Sequence, residues 1–328
     1  MAGDAAVFGQ TRGMGELIEV SDRDTELAPF GNELAALGQE RPEVVALTAD
    51  MARYSDILPF KEAHPERFFN VGMAEQNLIL TAAGLAKTGK IAYCTTYSVF
   101  VTRRAYDFVA IACAHSKANV KIFAGMPGLL NGYGATHQAT EDLNMMRGIA
   151  DLTVIDPCDA TELRQVVRAV ADIPGTVYVR LLRGHVPVEL GADYRFVPGK
   201  AALLREGTGV GVISTGYMTA RALEAARQAE STGIRPGVLH VPTLKPFDSD
   251  AVLAFAGRHD RLVIAENHKT TGGLGTLVTE AMFDAGVLRP VLRVGLADEF
   301  FECGSQEYLE AKYGVDLPRM VRALVDGT

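Results

Sequence analysis

A few residues in this chain have types and positions suited to chemistry: a carboxylate that can hold a proton, a histidine that can move one, an arginine that can grip an anion. Glu75 lies in the segment Phe69-Asn-Val-Gly-Met-Ala-Glu-Gln-Asn77, in the first turn of an otherwise apolar helix that follows a buried strand. A carboxylate there at least complements the positive end of the helix dipole. His137 falls in a loop, where a lone histidine is commonly a hydrogen-bonded surface residue. Tyr97 and Phe100 would serve as core aromatics, and Arg183, after a strand, as half of a surface ion pair. The four cysteines, Cys94, Cys113, Cys158 and Cys303, form no C-x-x-C pair and read as thiols of a reducing cytoplasm, not as a metal or disulfide framework.

The elements that must position these residues alternate along the chain. In residues 24–190, helices read over 33–40, 72–87 (with Met73, Leu78, Ile79, Leu80 and Leu85 as its apolar set), 104–115, 141–148 and after the capping stretch Asp159-Ala-Thr161-Glu162. Between them run apolar strands at 43–50, 91–95, 120–124, 152–155 and 176–182. A glycine-rich loop, Gly125-Met-Pro-Gly-Leu-Leu-Asn-Gly-Tyr-Gly134, follows the third. Strands apolar throughout and separated by helices belong to a parallel sheet covered on both faces. Residues 191–200 are polar and turn-rich and read as a linker. A smaller α/β unit follows over 201–328, with strands at 210–214, 238–241, 262–266 and 291–295 and helices at 218–231, 249–256 and 274–285. Residues 1–23 read as an N-terminal tail.

Composition limits what such a chain can do. Its 328 residues, 48% apolar and 22% charged, suit a globular protein of roughly two domains. A net charge of -8 supplies no global field for nucleic acid or anionic membrane. No stretch reaches the ~18 apolar residues of a membrane span, and the N-terminus lacks the apolar core of a secretory signal. The expectation is a soluble, cytoplasmic protein.

Five motifs, in order and spread over nearly the whole chain, resemble the transketolase family. Val71-Gly-Met-Ala-Glu-Gln-Asn77 resembles the family's G-I-A-E-Q/H. Thr96-Tyr-Ser-Val-Phe100 with Arg103-Arg104-Ala-Tyr-Asp107 is similar to its aromatic segment. Gly134-Ala-Thr-His-Gln138 matches G-x-T-H-Q, and Leu182-Arg183-Gly184 matches the end of a strand. Glu266-Asn-His-Lys-Thr-Thr-Gly-Gly-Leu-Gly275 resembles the signature of the family's C-terminal domain. The resemblance implies an α/β chain of two parallel-sheet domains, a thiamine-diphosphate pyrimidine-binding fold followed by a transketolase C-terminal-like domain. It implies that Glu75 holds the aminopyrimidine of thiamine diphosphate and favours the tautomer that can remove the cofactor's C2 proton. It also implies that Phe100 stacks on that ring with Tyr97 in the same wall, that His137 reaches the ketose oxygens and moves protons, and that Arg183 clamps a substrate phosphate. The family's G-D-G motif for the diphosphate and its divalent cation (Mg2+ or another) does not occur. The implied assembly is therefore a split transketolase in which a partner subunit with the diphosphate-binding domain completes an α2β2 heterotetramer.

The expected reaction moves a two-carbon ketol unit from a ketose or ketose phosphate to an aldehyde. Two departures from the family bear on the substrate. Its substrate-contacting His falls on Gly125, and the Asp that reads a sugar hydroxyl falls on Tyr133, which becomes a substrate-facing candidate. In addition, Glu26-Leu-Ala-Pro-Phe30 lacks the phosphate-binding Arg. Non-standard substrate specificity follows as an expectation. The alternatives are a condensation or acyl transfer like that of deoxyxylulose-phosphate synthase or the E1 beta chain of 2-oxoacid dehydrogenases, and a non-catalytic interaction subunit.

Overall fold

The computed structural model describes residues 24–328; the tail expected over 1–23 lies outside the described residues. The larger sheet has seven strands in the order Thr243–Lys245, Thr153–Ile155, Val177–Leu181, Val120–Gly125, Ile91–Tyr97, Val44–Thr48 and Phe68–Asn70. All neighbours pair in parallel except the first two, which are antiparallel. The central strands are buried along their whole length, which explains their unbroken apolar runs. The second sheet orders Val291–Leu296, Arg261–Lys269, Val210–Ser214, Gly237–His240 and Ala202–Arg205, again parallel but for one antiparallel edge strand. The protein is thus α/β with two sheets dominated by parallel pairing.

Several elements differ from the sequence reading. Thr243–Lys245 comes after the linker yet pairs with the first sheet, so the two units are joined by a ladder as well as by the chain. The strand directly before the helix of Glu75 is Phe68–Asn70, a half-exposed edge and not the buried strand expected there. The helix expected from residue 104 starts six residues earlier, at Ser98, and runs to Phe108, where a wider π-type turn, Val109–His115, continues it. Tyr97 is therefore the last residue of a strand. Met73 and Leu80, counted among the apolar set of their helix, face outward at 79% and 45% exposure. The linker is packed, with Phe196 buried and Tyr194 donating its hydroxyl to Glu162. The capping stretch forms as expected: Asp159 accepts from the Glu162 N–H at 2.8 Å, and the Glu162 carboxylate accepts from the Cys158 N–H at 2.8 Å. Among the described residues no helix is long and apolar enough to cross a membrane.

Candidate active site

In a parallel sheet every strand delivers its following loop to the same edge, and ligands bind in the crevice there. Here that edge gathers the sequence candidates. Tyr97 closes one strand, Met126 follows Gly125 at the end of its neighbour, and Arg183 lies two residues beyond Leu181 at the end of the next.

Glu75 is the first residue of the helix Glu75–Lys87 and is 4% exposed. Ala74 at the cap offers no side-chain acceptor, so the carboxylate lies at the unsatisfied N–H end of the helix. Its one hydrogen-bond donor among the described residues is Arg104, at 3.0 Å and half exposed. The Arg104 guanidinium also lies 4.0 Å from the centre of the Phe100 ring. A flat cation thus bridges Glu75 and Phe100 by one charged hydrogen bond and one ring-face contact.

Phe100 continues into an aromatic wall. Tyr97 stacks on it with centroids 5.7 Å apart, and His137 meets it edge-on at 5.3 Å. Tyr133 closes on the other side of His137 at 5.5 Å. Burial, then the nearby Arg104 charge, lowers the His137 pKa below its ordinary 6.5, so the ring is a neutral acceptor at pH 7. Its Nδ1 lies 2.8 Å from the Thr136 hydroxyl. Burial raises the Tyr97 phenol.

The loop carrying Tyr133 and His137 is fastened from several directions. Arg103 donates to the carbonyls of Ala135 and Gln138 at 2.9 and 3.2 Å and pairs with Glu141. Asn267, from the second unit, accepts from the Leu129 N–H at 3.0 Å and donates to the Pro127 carbonyl at 3.3 Å. Gly128 has φ +60°, and a Cβ on it would meet the Asn267 side chain at 2.3 Å, so only glycine lets the loop approach this closely. Further on, the Gly132 carbonyl accepts from the Gly304 N–H, and Tyr133 pairs with Cys303 across an antiparallel bridge. Beside Asn267, Glu266 accepts from the N–H groups of Leu274 and Gly275 at 2.7 and 2.9 Å and caps that helix; burial raises its pKa to about 7. The motif of the second unit therefore works as a clamp on the site loop.

Arg183 is not the surface ion pair of the generic reading. It is 8% exposed, with Nε 3.9 Å from Asp56 and Nη1 4.0 Å from the Met126 sulfur. Of the sequence candidates, Glu75, Tyr97, Phe100, Tyr133 and His137 are linked by direct contacts or through Arg104. Arg183 reaches them through Met126 and Tyr97. Arg104 and Asp56 were not candidates, because neither a spacing nor a local pattern marks which charged neighbour a fold will bring in.

Comparison with known proteins finds relatives for both units of the chain. Residues 27–189 match the family described as "Transketolase, pyrimidine binding domain" and residues 199–320 the one described as "Transketolase, C-terminal domain". An uncharacterised transketolase family protein of Sinorhizobium fredii is 49% identical, over 92% of this chain and 88% of its own length. A 6-deoxy-6-sulfo-D-fructose transketolase subunit of a Clostridium species is 39% identical, over 88% and 90%. A solved split-gene transketolase, described as an inactive beta4 tetramer, superposes with a TM-score of 0.84 at 40% identity, covering 91% of this chain and 96% of that one.

Proposed function

The chain belongs to the transketolase family, and from that premise we propose that it is the pyrimidine-binding subunit of a split transketolase that moves a two-carbon ketol unit from a ketose to an aldehyde. The observation that carries this reading is the Glu75–Arg104–Phe100 arrangement. A planar group bonded to the carboxylate and lying on the phenyl ring has the two contacts that an aminopyrimidine needs, and the half-exposed Arg104 occupies that position here. The residues present therefore fit the pyrimidine of thiamine diphosphate.

Bound there, thiamine diphosphate supplies a carbon acid and an electron sink for breaking the bond beside a ketose carbonyl. Glu75, in a buried setting, holds a proton at the pyrimidine nitrogen and so controls the ring's tautomer. Phe100 and Tyr97 form the wall that fixes the ring's plane and shields it from water. His137, neutral at pH 7, accepts a proton from a sugar hydroxyl, with Tyr133 lining the same face. Arg183 stands further along the edge, toward the far end of a substrate.

The diphosphate and its divalent cation, Mg2+ or another, are assigned to an N-terminal partner subunit, in an α2β2 assembly in the cytoplasm. Phe69, Met73 and Leu80, exposed around Glu75, support a partner covering this side of the molecule. The solved split-gene relative, inactive as a tetramer of its β chain, is in keeping with the need for that partner.

The experiment is to co-express this chain with a candidate partner and measure thiamine-diphosphate binding by calorimetry, on the chain alone and on the pair, with and without Mg2+. Binding by the pair only, lost with Mg2+ removal, together with transfer from a ketose to an aldehyde, is the expected result. A pair that assembles but binds no cofactor would overturn the reading and leave a scaffold subunit in its place.

A further inference from the structure

We propose that Asp56 sets the specificity of the subsite at Arg183, so that it receives an uncharged, hydroxyl-bearing sugar terminus in place of a phosphate or sulfonate. This rests on the ketol-transfer reading above and adds the substrate class. The Asp56 side chain is 9% exposed, with one oxygen 3.9 Å from Arg183 Nε and the other accepting the Gly184 N–H at 2.5 Å. The carboxylate therefore occupies one flank of the guanidinium and the peptide that follows it.

This placement is built into the backbone. Asp56 has a left-handed conformation, φ +53°, which aspartate tolerates better than most residues. Its carbonyl packs on Gly31 of the helix Pro29–Glu40, where a Cβ would come within 1.9 Å. The turn is thus wedged against a buried helix and cannot swing its carboxylate aside without disturbing that contact. On the other flank Arg183 meets Met126, 2% exposed, whose thioether carries no charge and which is itself held at φ +58°.

The chemistry follows from charge and from hydrogen-bonding capacity. Burial raises the Asp56 pKa and the adjacent Arg183 charge opposes that rise, favouring the ionised carboxylate; that carboxylate opposes the attraction of an approaching phosphate to the guanidinium, in a place where solvent screens little. A hydroxyl group meets no such opposition. It can donate to Asp56 and accept from Arg183, using both members of the pair. Sites that read hydroxyls with paired buried groups discriminate more sharply than apolar ones.

The test uses the cofactor-loaded complex of this chain with its partner, and D-xylulose against D-xylulose 5-phosphate as matched ketoses. The wild-type kcat/KM for the phosphorylated ketose should not exceed that for the free sugar, and Asp56→Asn should move the ratio at least tenfold toward the phosphate. Asp56→Glu, which keeps the charge, should retain the wild-type ratio. A tenfold wild-type preference for the phosphate, or an unchanged ratio in a folded Asp56→Asn complex, overturns the proposal; the wild-type ratio decides alone if neither variant folds. A second readout needs no turnover: inorganic phosphate titrated calorimetrically into the chain should bind Asp56→Asn and not wild type, and equal binding overturns the proposal. If neither ketose reacts while the phosphate titration behaves as expected, the ketol-transfer reading fails and the role of Asp56 stands.

Discussion

Two regions of this protein hold buried ionisable side chains, and they treat them differently. At the seam between the two units, Arg180 donates to Asp142 at 2.8 Å and to Asp156 at 3.2 Å, Tyr178 donates to Asp142 at 2.7 Å, and all are at most 3% exposed. Nearby, Glu162 accepts from His240, the Cys158 N–H and Tyr194, and the second nitrogen of His240 meets Thr219 at 2.8 Å. Cys158, Glu162 and His240 place ligand atoms within 4.8 Å of one another, a spacing a metal could use. Yet both carboxylate oxygens and both ring nitrogens are already engaged by neighbours. At the strand ends the opposite holds: among the described residues the Glu75 carboxylate hydrogen-bonds only to a half-exposed arginine, and the His137 ring only to the hydroxyl of Thr136. Saturated polar groups lock a fold, whereas groups left with spare capacity at an open rim can take a ligand.

The sharpest way to break this contrast is to exchange the regions' expected responses. Arg180→Met leaves two fully buried carboxylates without a cation, and uncompensated buried charge costs about 3–5 kcal/mol. That is a large share of a domain's stability, so the variant should show a large fall in Tm or fail to accumulate as soluble protein. A Tm close to wild type would show that the seam is not held by this cluster. Glu75→Gln should do the reverse. It should change stability by less than about 1 kcal/mol, because its hydrogen-bond partner among the described residues is a half-exposed arginine that an amide oxygen can still accept from, while lowering ketol transfer by the pair ~10²–10⁴-fold, the usual range for a lost proton-handling group. Full activity in Glu75→Gln would remove Glu75 from the chemistry.

A smaller effect tests the electrostatics of the rim. The His137 pKa lies below 6.5 because burial and the Arg104 charge both disfavour the protonated ring. Its acceptor function is therefore present at neutral pH and lost as pH falls through that lowered value. The acid limb of kcat/KM should lie below pH 6.5 and disappear in His137→Asn. Replacing Arg104 by glutamine removes one of the two causes, so the limb should move upward; a downward movement would show that a different group titrates.

The legible and illegible parts of the molecule divide along the same line. Periodicity revealed the long buried strands and the Asp159–Glu162 cap because those patterns record local geometry. It could not reveal that Thr243–Lys245 crosses to the other sheet, since three residues carry no period and the pairing is decided by packing between units. Nor could it show that Met73 and Leu80 are exposed: an apolar face reads alike whether it meets its own core or awaits another chain. At the site, motif order located Glu75, Phe100 and His137. Asp56 and Arg104 escaped because their importance lies in which neighbour each meets across the fold.

Arg104 gives the finest test of the comparison, because it is the one residue that makes the rim resemble the seam. Its ion pair joins a half-exposed guanidinium to the buried Glu75 carboxylate, and solvent screening at the arginine end keeps it to about 1 kcal/mol. Its contact with the Phe100 face adds roughly 0.5–1 kcal/mol. A pyrimidine that takes both places must displace about 1 kcal/mol of interaction in total, so Arg104→Gln should tighten thiamine-diphosphate binding by the pair about fivefold. Calorimetric titration of wild type and variant measures this directly. Weaker binding in the variant would mean that Arg104 holds the cofactor instead of standing in its place. The rim would then be, like the seam, a cluster completed by its own cation.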